Sequence, residues 1–364
     1  MLQNIDLREL AEMRGNGRDF VSAYFCGEEG LDALAARERS LRDLLADNQT
    51  ELELFDENMK LIRGVLEEHS VERAESVCMF ACALLDFVRG YPISMPVPTE
   101  MHVGAAPYIR PLAELQDEYE TFALVSCDND KTRIFLVTNE TANVEATVRG
   151  GVKNHVRKGG WSQQRYERRR ENALNNYAKD VGEALSGLQK QRDFQRVVLI
   201  GSSETMQEIE SELPQHLADL VVAKDPFDLG RGQDALIEQA YEEYFAEERQ
   251  DERNLWQRIK DEYMSHGRGA VGGTAVLEAA LAGRVDTMIV TRDARITGTQ
   301  CRKCEHLVHG TPQTCQLCGF SSVFEVDLVD ALTRQVELTS GQVDYVDEMP
   351  GLTKVGHVAA FLRY

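Results

Sequence analysis

Two groups of residues have types and spacings that suit chemistry. The first is the segment 153–170, KNHVRKGGWSQQRYERRR, in which a Gly-Gly step is surrounded by basic residues. The second is a pair of Cys-x-x-Cys motifs near position 300. Basic residues in this density suit contact with phosphates, whereas paired cysteines suit a metal ion.

The basic segment reverses the charge of the chain locally. Between positions 149 and 170 there are eight basic residues and one acidic residue, although the whole chain has a formal net charge of −21. Such a reversal on an acidic protein is typical of one projection that contacts nucleic acid, while the remaining surface repels phosphate. A solvated helix face would explain positions 165–170 but not the basic residues before the glycines. We predict RNA contacts for Lys153, Arg157, Lys158, Trp161, Arg165, Arg168 and Arg169.

Glycines at 159 and 160 give this segment unusual backbone freedom. Gly159 and Gly160 can adopt dihedral angles that other residues avoid, and they let another backbone approach closely. Ser162 is a good N-cap for the long helix that we predict at 163–188. A plain loop before a capped helix is the other interpretation of these residues. Trp161, beside the glycines, could stack on a base or pack on its own domain.

The cysteine motifs predict a structural metal site. Cys301, Cys304, Cys315 and Cys318 form two pairs separated by ten residues, and each pair can supply two corners of a tetrahedral zinc site. Four protein ligands leave no open position, so we predict that the zinc is structural. Paired redox thiols are the alternative, and two intervening histidines, His306 and His309, could replace a ligand. The four other cysteines, at positions 26, 78, 82 and 127, are expected to be reduced core residues.

The rest of the chain predicts an α/β protein of several domains. It has 364 residues, 43% of them hydrophobic, and strands alternate with helices through its centre. We expect domains at 1–115, 116–229 and 230–364, with a zinc ribbon at about 299–322. No run of about 18 apolar residues and no apolar leader are evident, which predicts a cytoplasmic protein without a membrane partner.

The loop RKGGWSQQRYERRR resembles the Gly-Gly-Gln loop of the class I peptide-chain release factors of archaea and eukaryotes. Gly159, Gly160, Ser162, Arg165 and Arg168 follow the family pattern in order. Trp161 stands where that family has its glutamine, and Gln163 and Gln164 come two and three positions later. A displaced glutamine is closer to the Vms-type (ankyrin-repeat zinc-finger type) peptidyl-tRNA hydrolases of ribosome quality control, which belong to the same superfamily.

Other stretches carry the same resemblance over roughly residues 80–364. YIRPLAEL resembles the segment between the first and central domains of the family, GGTAVLEAALAGRVDTMIVT resembles its third domain, and AAFLRY resembles its last strand. The Asn-Ile-Lys-Ser motif with which termination factors of this family read stop codons is not found. The resemblance implies a ribonuclease-H-like central domain with a projecting Gly-Gly loop and a C-terminal α/β sandwich with a zinc-ribbon insertion.

The implied function is hydrolysis of peptidyl-tRNA on stalled or split ribosomes. A glutamine side chain, Gln163 or else Gln164, would orient the attacking water, because an amide both donates and accepts hydrogen bonds without titrating. Backbone N–H groups of Gly159 and Gly160 would add donors for the oxyanion. The implied partners are the peptidyl-transferase centre of the large ribosomal subunit, rRNA and peptidyl-tRNA; a GTPase partner is left open. A stop-codon-dependent termination factor and a non-catalytic ribosome-binding surveillance adaptor are the alternatives.

Overall fold

The computed structural model describes residues 5–68, 76–93, 95–138, 141–150, 161–192 and 194–364, and gives only the backbone of Glu28, Thr141 and residues 161–166. These residues form two compact units. Unit 1 combines residues 1–118 with 255–364, and unit 2 comprises residues 119–254. Two domains can pack as one compact unit, so the division into three domains stays a prediction.

The first part of unit 1 is a four-stranded antiparallel sheet with two long helices packed on it. Its elements are α1 (Leu7–Glu12), β1 (Phe20–Cys26), α2 (Gly27–Leu45), α3 (Gln49–Glu68), β2 (Ser76–Cys82), β3 (Phe87–Ile93), β4 (Glu100–Gly104) and α4 (Arg110–Glu118). The strand order is β3-β2-β1-β4. Strands β2 and β3 form an antiparallel hairpin. Alternate residues of β1 point into the core beneath α2 and α3. Phe55 and Ile62 of α3 are buried in the same core.

The second part of unit 1 contains two further sheets. Its elements after position 264 are β10 (Gly269–Val271), α9 (Gly273–Leu281), β11 (Val285–Thr291), β12 (Thr297–Cys301), β13 (Leu307–His309), β14 (Val323–Asp327), α10 (Leu328–Leu338), β15 (Gln342–Val346), α11 (Pro350–Lys354) and β16 (Val358–Leu362). The order β10-β16-β11-β15 gives a mixed sheet. The small sheet β13-β12-β14 carries the cysteines.

Unit 2 is a mixed five-stranded sheet covered by helices on both faces. Its elements are β5 (Phe122–Cys127), β6 (Lys131–Thr138), β7 (Thr141–Arg149), α5 (Trp161–Gln189), β8 (Arg196–Gly201), α6 (Ser203–Glu212), α7 (Gln215–Ala218), β9 (Val221–Pro226) and the start of α8 (Gln233–Met264). The order is β7-β6-β5-β8-β9. Strands β5 and β8 are mostly apolar, apart from Ser126 and Arg196, because α5, α6 and α7 cover one face of the sheet and α8 the other.

These elements confirm the predicted α/β class. The long helix expected at 163–188 is α5. Among the elements that were missed are the edge strand β7, whose sequence TANVEATVR is mostly polar and exposed, and α4, which begins with Arg-Pro. Among the described residues, no helix combines the length and the apolar character that crossing a bilayer requires.

A buried arginine at the start of α4 joins the two parts of unit 1. Arg110 is only 2% exposed. Its guanidinium donates to Glu114 at 2.7 Å, to Asp327 at 3.0 Å and to the carbonyl oxygens of Arg292 and Ala294 at 2.6 and 2.9 Å. A buried charge is tolerated only when it is paired and hydrogen-bonded. This arginine therefore fixes α4 against the loop that follows β11 and against the end of β14.

We expect Arg110→Met to destabilise unit 1 by about 3–5 kcal/mol, because it removes one donor from each of two half-buried carboxylates and two backbone carbonyls at once. The midpoint of urea unfolding, followed by tryptophan fluorescence and circular dichroism, measures the change. Arg89→Met is the matched control, since the Arg89–Glu9 pair is exposed and should contribute at most about 1 kcal/mol. Equal midpoints for the two variants would contradict the role given to Arg110.

Candidate RNA-contacting loop and candidate metal centre

The basic loop leaves the sheet of unit 2 at the end of β7. Arg149, the last residue of that strand, pairs with Lys131 in the β6–β7 ladder. The next residue, Gly150, donates its N–H to the carbonyl of Asp130 at 2.8 Å. A Cβ atom at this glycine would lie 2.5 Å from the carbonyl oxygen of Asn129. Only glycine therefore fits where the chain turns away from the sheet.

Tyr177 of α5 holds the same turn from the helix side. Its buried hydroxyl lies 2.7 Å from the Thr132 hydroxyl and donates to the carbonyl of Asp128 at 3.0 Å. Burial raises the pKa of Tyr177, so the hydroxyl stays a neutral donor. Its ring also lies against Gly150, 3.0 Å from where a Cβ would stand. One side chain thus fixes α5, the β5–β6 turn and the exit of the loop.

The loop base lies at the carboxyl ends of two parallel strands. Strands β5 and β8 are parallel neighbours, and the N–H of Ser202, directly after β8, donates to the carbonyl of Cys127 at 2.8 Å. Thr205, in the first turns of α6, donates its hydroxyl to Asn129 at 2.7 Å. Open α/β sheets characteristically place their sites at this edge, because strand ends and helix N-termini converge there.

The loop returns to unit 2 through the first turn of α5. This helix packs its apolar stripe, Leu174, Ala178, Val181 and Leu185, on the sheet. Gln163 and Gln164 belong to its first turn. The predicted Lys153, Arg157, Lys158, Gly159 and Gly160 lie outside the described residues, as do the side chains of Trp161, Gln163, Gln164 and Arg165.

The basic residues at the start of α5 divide into two kinds. Arg168 and Arg169 are exposed, as RNA contacts must be. Arg170 is 9% exposed and forms a two-pronged ion pair with Glu204 of α6. The burial of Arg170 could have been predicted from its spacing. Position 170 lies four residues before the apolar Leu174, so it continues the buried stripe of the helix.

Further polar contacts between α5 and α6 continue below this ion pair. Asn175 donates its side-chain amide to Glu212 and, at 3.4 Å, to Glu208. Lys179 lies 3.6 Å from Glu212. Together with the ion pair at Arg170, these contacts fix the direction in which α5 leaves the sheet, and so the position of its first turn.

The structure brings the four predicted metal ligands together. The Sγ atoms of Cys301, Cys304, Cys315 and Cys318 all lie within 4.8 Å of one another. The Cys301–Cys318 and Cys304–Cys315 pairs are 3.7 and 3.5 Å apart, close to the edge of about 3.8 Å of a tetrahedron of thiolates around zinc. A backbone hydrogen bond from Cys318 lowers the pKa of Cys315 to about 6, whereas contacts with the other three cysteines raise the pKa of Cys304 to about 12. Proximity of the four sulfurs therefore favours the metal-binding thiolate form at some positions and the thiol at others.

The two histidines between the cysteine pairs do not join this cluster. The Nδ1 atom of His309 lies 3.0 Å from the hydroxyl of Thr274, and the carbonyl of His306 accepts the N–H of Cys301 at 3.0 Å. Arg302, inside the first cysteine motif, reaches Glu51 of α3 in an ion pair. The cysteine ribbon is therefore tied to the first part of unit 1 by one of its own motif residues.

The region that carries the loop matches a known family. Residues 107–244 fit the model described as bacterial archaeo-eukaryotic release factor family 10. That range covers most of unit 2 and contains the whole loop. The matched region therefore contains the contacts at Gly150, Tyr177 and Arg170 together with the glutamines.

Similarity to individual proteins runs along nearly the whole chain. Peptide chain release factor subunit 1 of Methanocaldococcus jannaschii is 24% identical, over 98% of this chain and 96% of its own length. The protein of the same name from Archaeoglobus fulgidus is 29% identical over 74% of this chain and 72% of its own. The solved structure of S. cerevisiae Dom34, a translation termination-like factor, aligns with 76% of this chain and 74% of its own at 11% identity, with a TM-score of 0.43.

We expect substitutions at Arg170 and Glu204 to have coupled effects on the free energy of unfolding. Arg170→Glu or Glu204→Arg alone should destabilise unit 2, because each places like charges at a nearly buried position. The double exchange should recover about 1 kcal/mol of this loss. Recovery is incomplete because an arginine in the first turn of α6 opposes the helix dipole. Urea unfolding of the four proteins gives the coupling energy.

Arg169→Glu, one residue away and exposed, is the control and should change the unfolding free energy by about 0.5 kcal/mol or less. Additive effects of the two exchanges at Arg170 and Glu204 would mean that the ion pair does not hold the helix.

Proposed function

We propose that this chain is a peptidyl-tRNA hydrolase of the release-factor type, because residues 107–244 fit a model of the bacterial archaeo-eukaryotic release factors and a peptide chain release factor subunit 1 is similar along nearly the whole chain. Its substrate is the ester between a nascent peptide and tRNA on a stalled or split ribosome. The observation that carries this proposal is the basic Gly-Gly segment together with the contacts that hold the described residues before and after it. Gly150 and Tyr177 fix its exit, and Arg170 fixes the helix to which it returns.

The proposed chemistry needs a positioned water and donors for the developing oxyanion. Gln163, or else Gln164, orients the water through its amide group, which both donates and accepts hydrogen bonds. The first turn of a helix has N–H groups without intrahelical acceptors and a partial positive charge. Because both glutamines belong to the first turn of α5, such donors lie beside them in the chain, and the backbone N–H groups of Gly159 and Gly160 would add to them.

The proposed partner is the large ribosomal subunit near its peptidyl-transferase centre. Arg168 and Arg169 are exposed beside the loop, and we assign them, with Lys153, Arg157, Lys158 and Arg165, to phosphates of rRNA and tRNA. Trp161 would stack on a base. The negative charge elsewhere on the chain disfavours other contacts with RNA, which concentrates binding at the loop.

The sequence motifs and the names of the relatives favour different answers to the question of whether cleavage requires a stop codon. The displaced glutamine of GGWSQQ and the missing Asn-Ile-Lys-Ser motif favour a Vms-type hydrolase that acts without a stop codon. The relatives from Methanocaldococcus jannaschii and Archaeoglobus fulgidus are named as peptide chain release factors, which favours a stop-codon-dependent termination factor as the second candidate. Both candidates cleave the same ester, so they differ in what triggers cleavage.

We expect the native protein to release labelled peptide from purified ribosomes that carry peptidyl-tRNA on a sense codon, or from the large subunit after splitting. The double variant Gln163→Ala/Gln164→Ala should release it about 100-fold more slowly, because the group that positions water is lost. Sedimentation with ribosomes should be unchanged, since neither glutamine is charged. The single variants identify the residue that acts.

Gln207→Ala on the exposed face of α6 is the matched control for this experiment. Release that occurs only on stop codons would replace the rescue proposal with the termination factor. Binding without any release by the native protein would instead support the non-catalytic adaptor.

We also propose that the four-cysteine cluster holds one structural zinc ion. Four thiol ligands in tetrahedral proximity suit zinc and leave no position for a substrate. The bound ion would stabilise a short ribbon that has little apolar core of its own. Through the Arg302–Glu51 ion pair, an ordered ribbon would in turn support α3.

We expect purified protein to contain about one zinc ion per chain by mass spectrometry of the elements. Cys304→Ser combined with Cys315→Ser should abolish zinc binding and lower the melting temperature of unit 1. Cys26→Ser is the control, because that cysteine is remote in sequence from the motifs and absent from the cluster. Full zinc content in the double variant would show that the metal is bound elsewhere.

A further inference from the structure

The start of helix α8 carries two parallel stripes on its outer surface. Ile237, Tyr241 and Phe245 are half-buried and form a shallow apolar groove at four-residue spacing. An acidic stripe of the same spacing lies along its rim: Asp234, Glu238 and Glu242, all exposed. We call this surface the α8 groove; it lies wholly within unit 2.

The aromatic rings of the α8 groove are held rigidly. Tyr241 donates its hydroxyl to the carbonyl of Thr138 at 2.6 Å, and its ring meets Phe122 edge-on at 5.7 Å. Phe245 lies nearly parallel to Tyr241, with ring centroids 6.1 Å apart. Rigid aromatic faces at a surface lose little conformational entropy when a partner covers them.

The acidic stripe is unfavourable for the helix that carries it. Like charges four residues apart repel on a helix surface, and Asp234, Glu238 and Glu242 form two such pairs in succession. Some other positions of α8 at this spacing are complementary, as in Gln239–Glu243 and Gln250–Asn254, whereas Glu243–Glu247 repeats the like-charge pairing outside the groove. Within the described part of the chain, none of the three acidic residues of the groove has a basic partner. What distinguishes this stripe is its place beside the aromatic rings of the groove, where a cation could contact a ring and a carboxylate together.

The same helix already holds an arginine by aromatic and acidic contacts. The guanidinium of Arg196 lies 5.5 Å from the ring centroid of Tyr244, and its Nη1 atom is 3.5 Å from Asp251. Planar guanidinium groups suit this arrangement because they stack on a ring while their N–H groups reach carboxylates. The α8 groove offers the same combination to groups from outside the chain.

We propose that the α8 groove binds an arginine-rich amphipathic segment of a partner protein. Arginines at four-residue spacing would stack on Tyr241 and Phe245 and pair with Glu238 and Glu242, while an apolar residue fills the space beside Ile237. Arg249, at the end of the groove, would face an acidic residue of the segment. Nucleic acid does not fit, because the rim repels phosphate.

The test uses the full chain and a fluorescein-labelled helical peptide with arginine and leucine at four-residue spacing, read by fluorescence anisotropy without ribosomes. It therefore does not rest on the proposed hydrolysis. The double variant Glu238→Gln/Glu242→Gln should weaken binding about tenfold and reduce its salt dependence. Phe245→Ala should weaken it by a similar factor, and replacing the arginines of the peptide with lysines should weaken it several-fold.

The matched control is Glu243→Gln/Glu247→Gln, which removes the same charge from α8 outside the groove and should leave binding within about twofold. Equal weakening by the control would overturn the proposal, because the peptide would then report only the net charge of the chain. Absence of binding at physiological salt would overturn it as well. Self-association of the native protein that is lost in Glu238→Gln/Glu242→Gln would assign the groove to a second copy instead.

Discussion

The position of the Gly-Gly segment depends on a cluster of contacts at the carboxyl edge of the sheet in unit 2. Tyr177 fills the space between α5 and the β5–β6 turn, and Gly150 passes so close to Asn129 that no side chain fits. A loop whose two ends were free would lose conformational entropy whenever it adopted one position. Fixed ends reduce that cost, and so favour entry of the loop into a narrow site.

The arginines at the start of α5 are of two kinds, which differ in the exposure of their side chains. An exposed arginine such as Arg168 or Arg169 keeps its hydration, which it would exchange for phosphate in the proposed contact with RNA. Arg170, nearly buried, satisfies its charge with Glu204 of α6. The negative charge of Glu204 thus orders the helix without neutralising the exposed cations. Arg170 thus fixes the start of α5, while Arg168 and Arg169 stay exposed, as the proposed contacts with RNA require.

Much of the fold follows from periodicity in the sequence. The buried strands β5 and β8 contain the apolar runs FALV and VVLI, and α5 and α8 show apolar residues at helical spacing. The four cysteines were found by spacing alone because a Cys-x-x-Cys turn leaves few other geometries. The edge strand β7 escaped prediction because its polar residues face solvent, and its stability comes from pairing with β6.

The predicted loop site could be derived only in part from local sequence. A count of charges does not distinguish Arg168, Arg169 and Arg170. Their positions around the helix do, because only Arg170 lies on the same face as the buried Leu174. The roles of Tyr177 and Gly150 depend on contacts with residues some twenty to fifty positions away, which no local pattern encodes. The same holds for Arg110, whose partners Asp327 and Ala294 come from the other part of unit 1. Residue type and spacing can predict chemistry, but tertiary contacts decide which members of a motif remain available for it.

The proposed catalytic loop and the acidic charge of the rest of the chain are two consistent answers to one physical problem. An enzyme that reaches its ester inside an RNA-lined site must be attracted there and repelled by RNA elsewhere. Positions 149–170 carry seven net positive charges in a chain with a net charge of −21, which meets both conditions. The long-range field of the chain opposes general RNA binding, and the basic segment reverses that field locally. An amide is then a suitable catalytic group, because a carboxylate at the tip would be repelled by the same phosphates that attract the arginines.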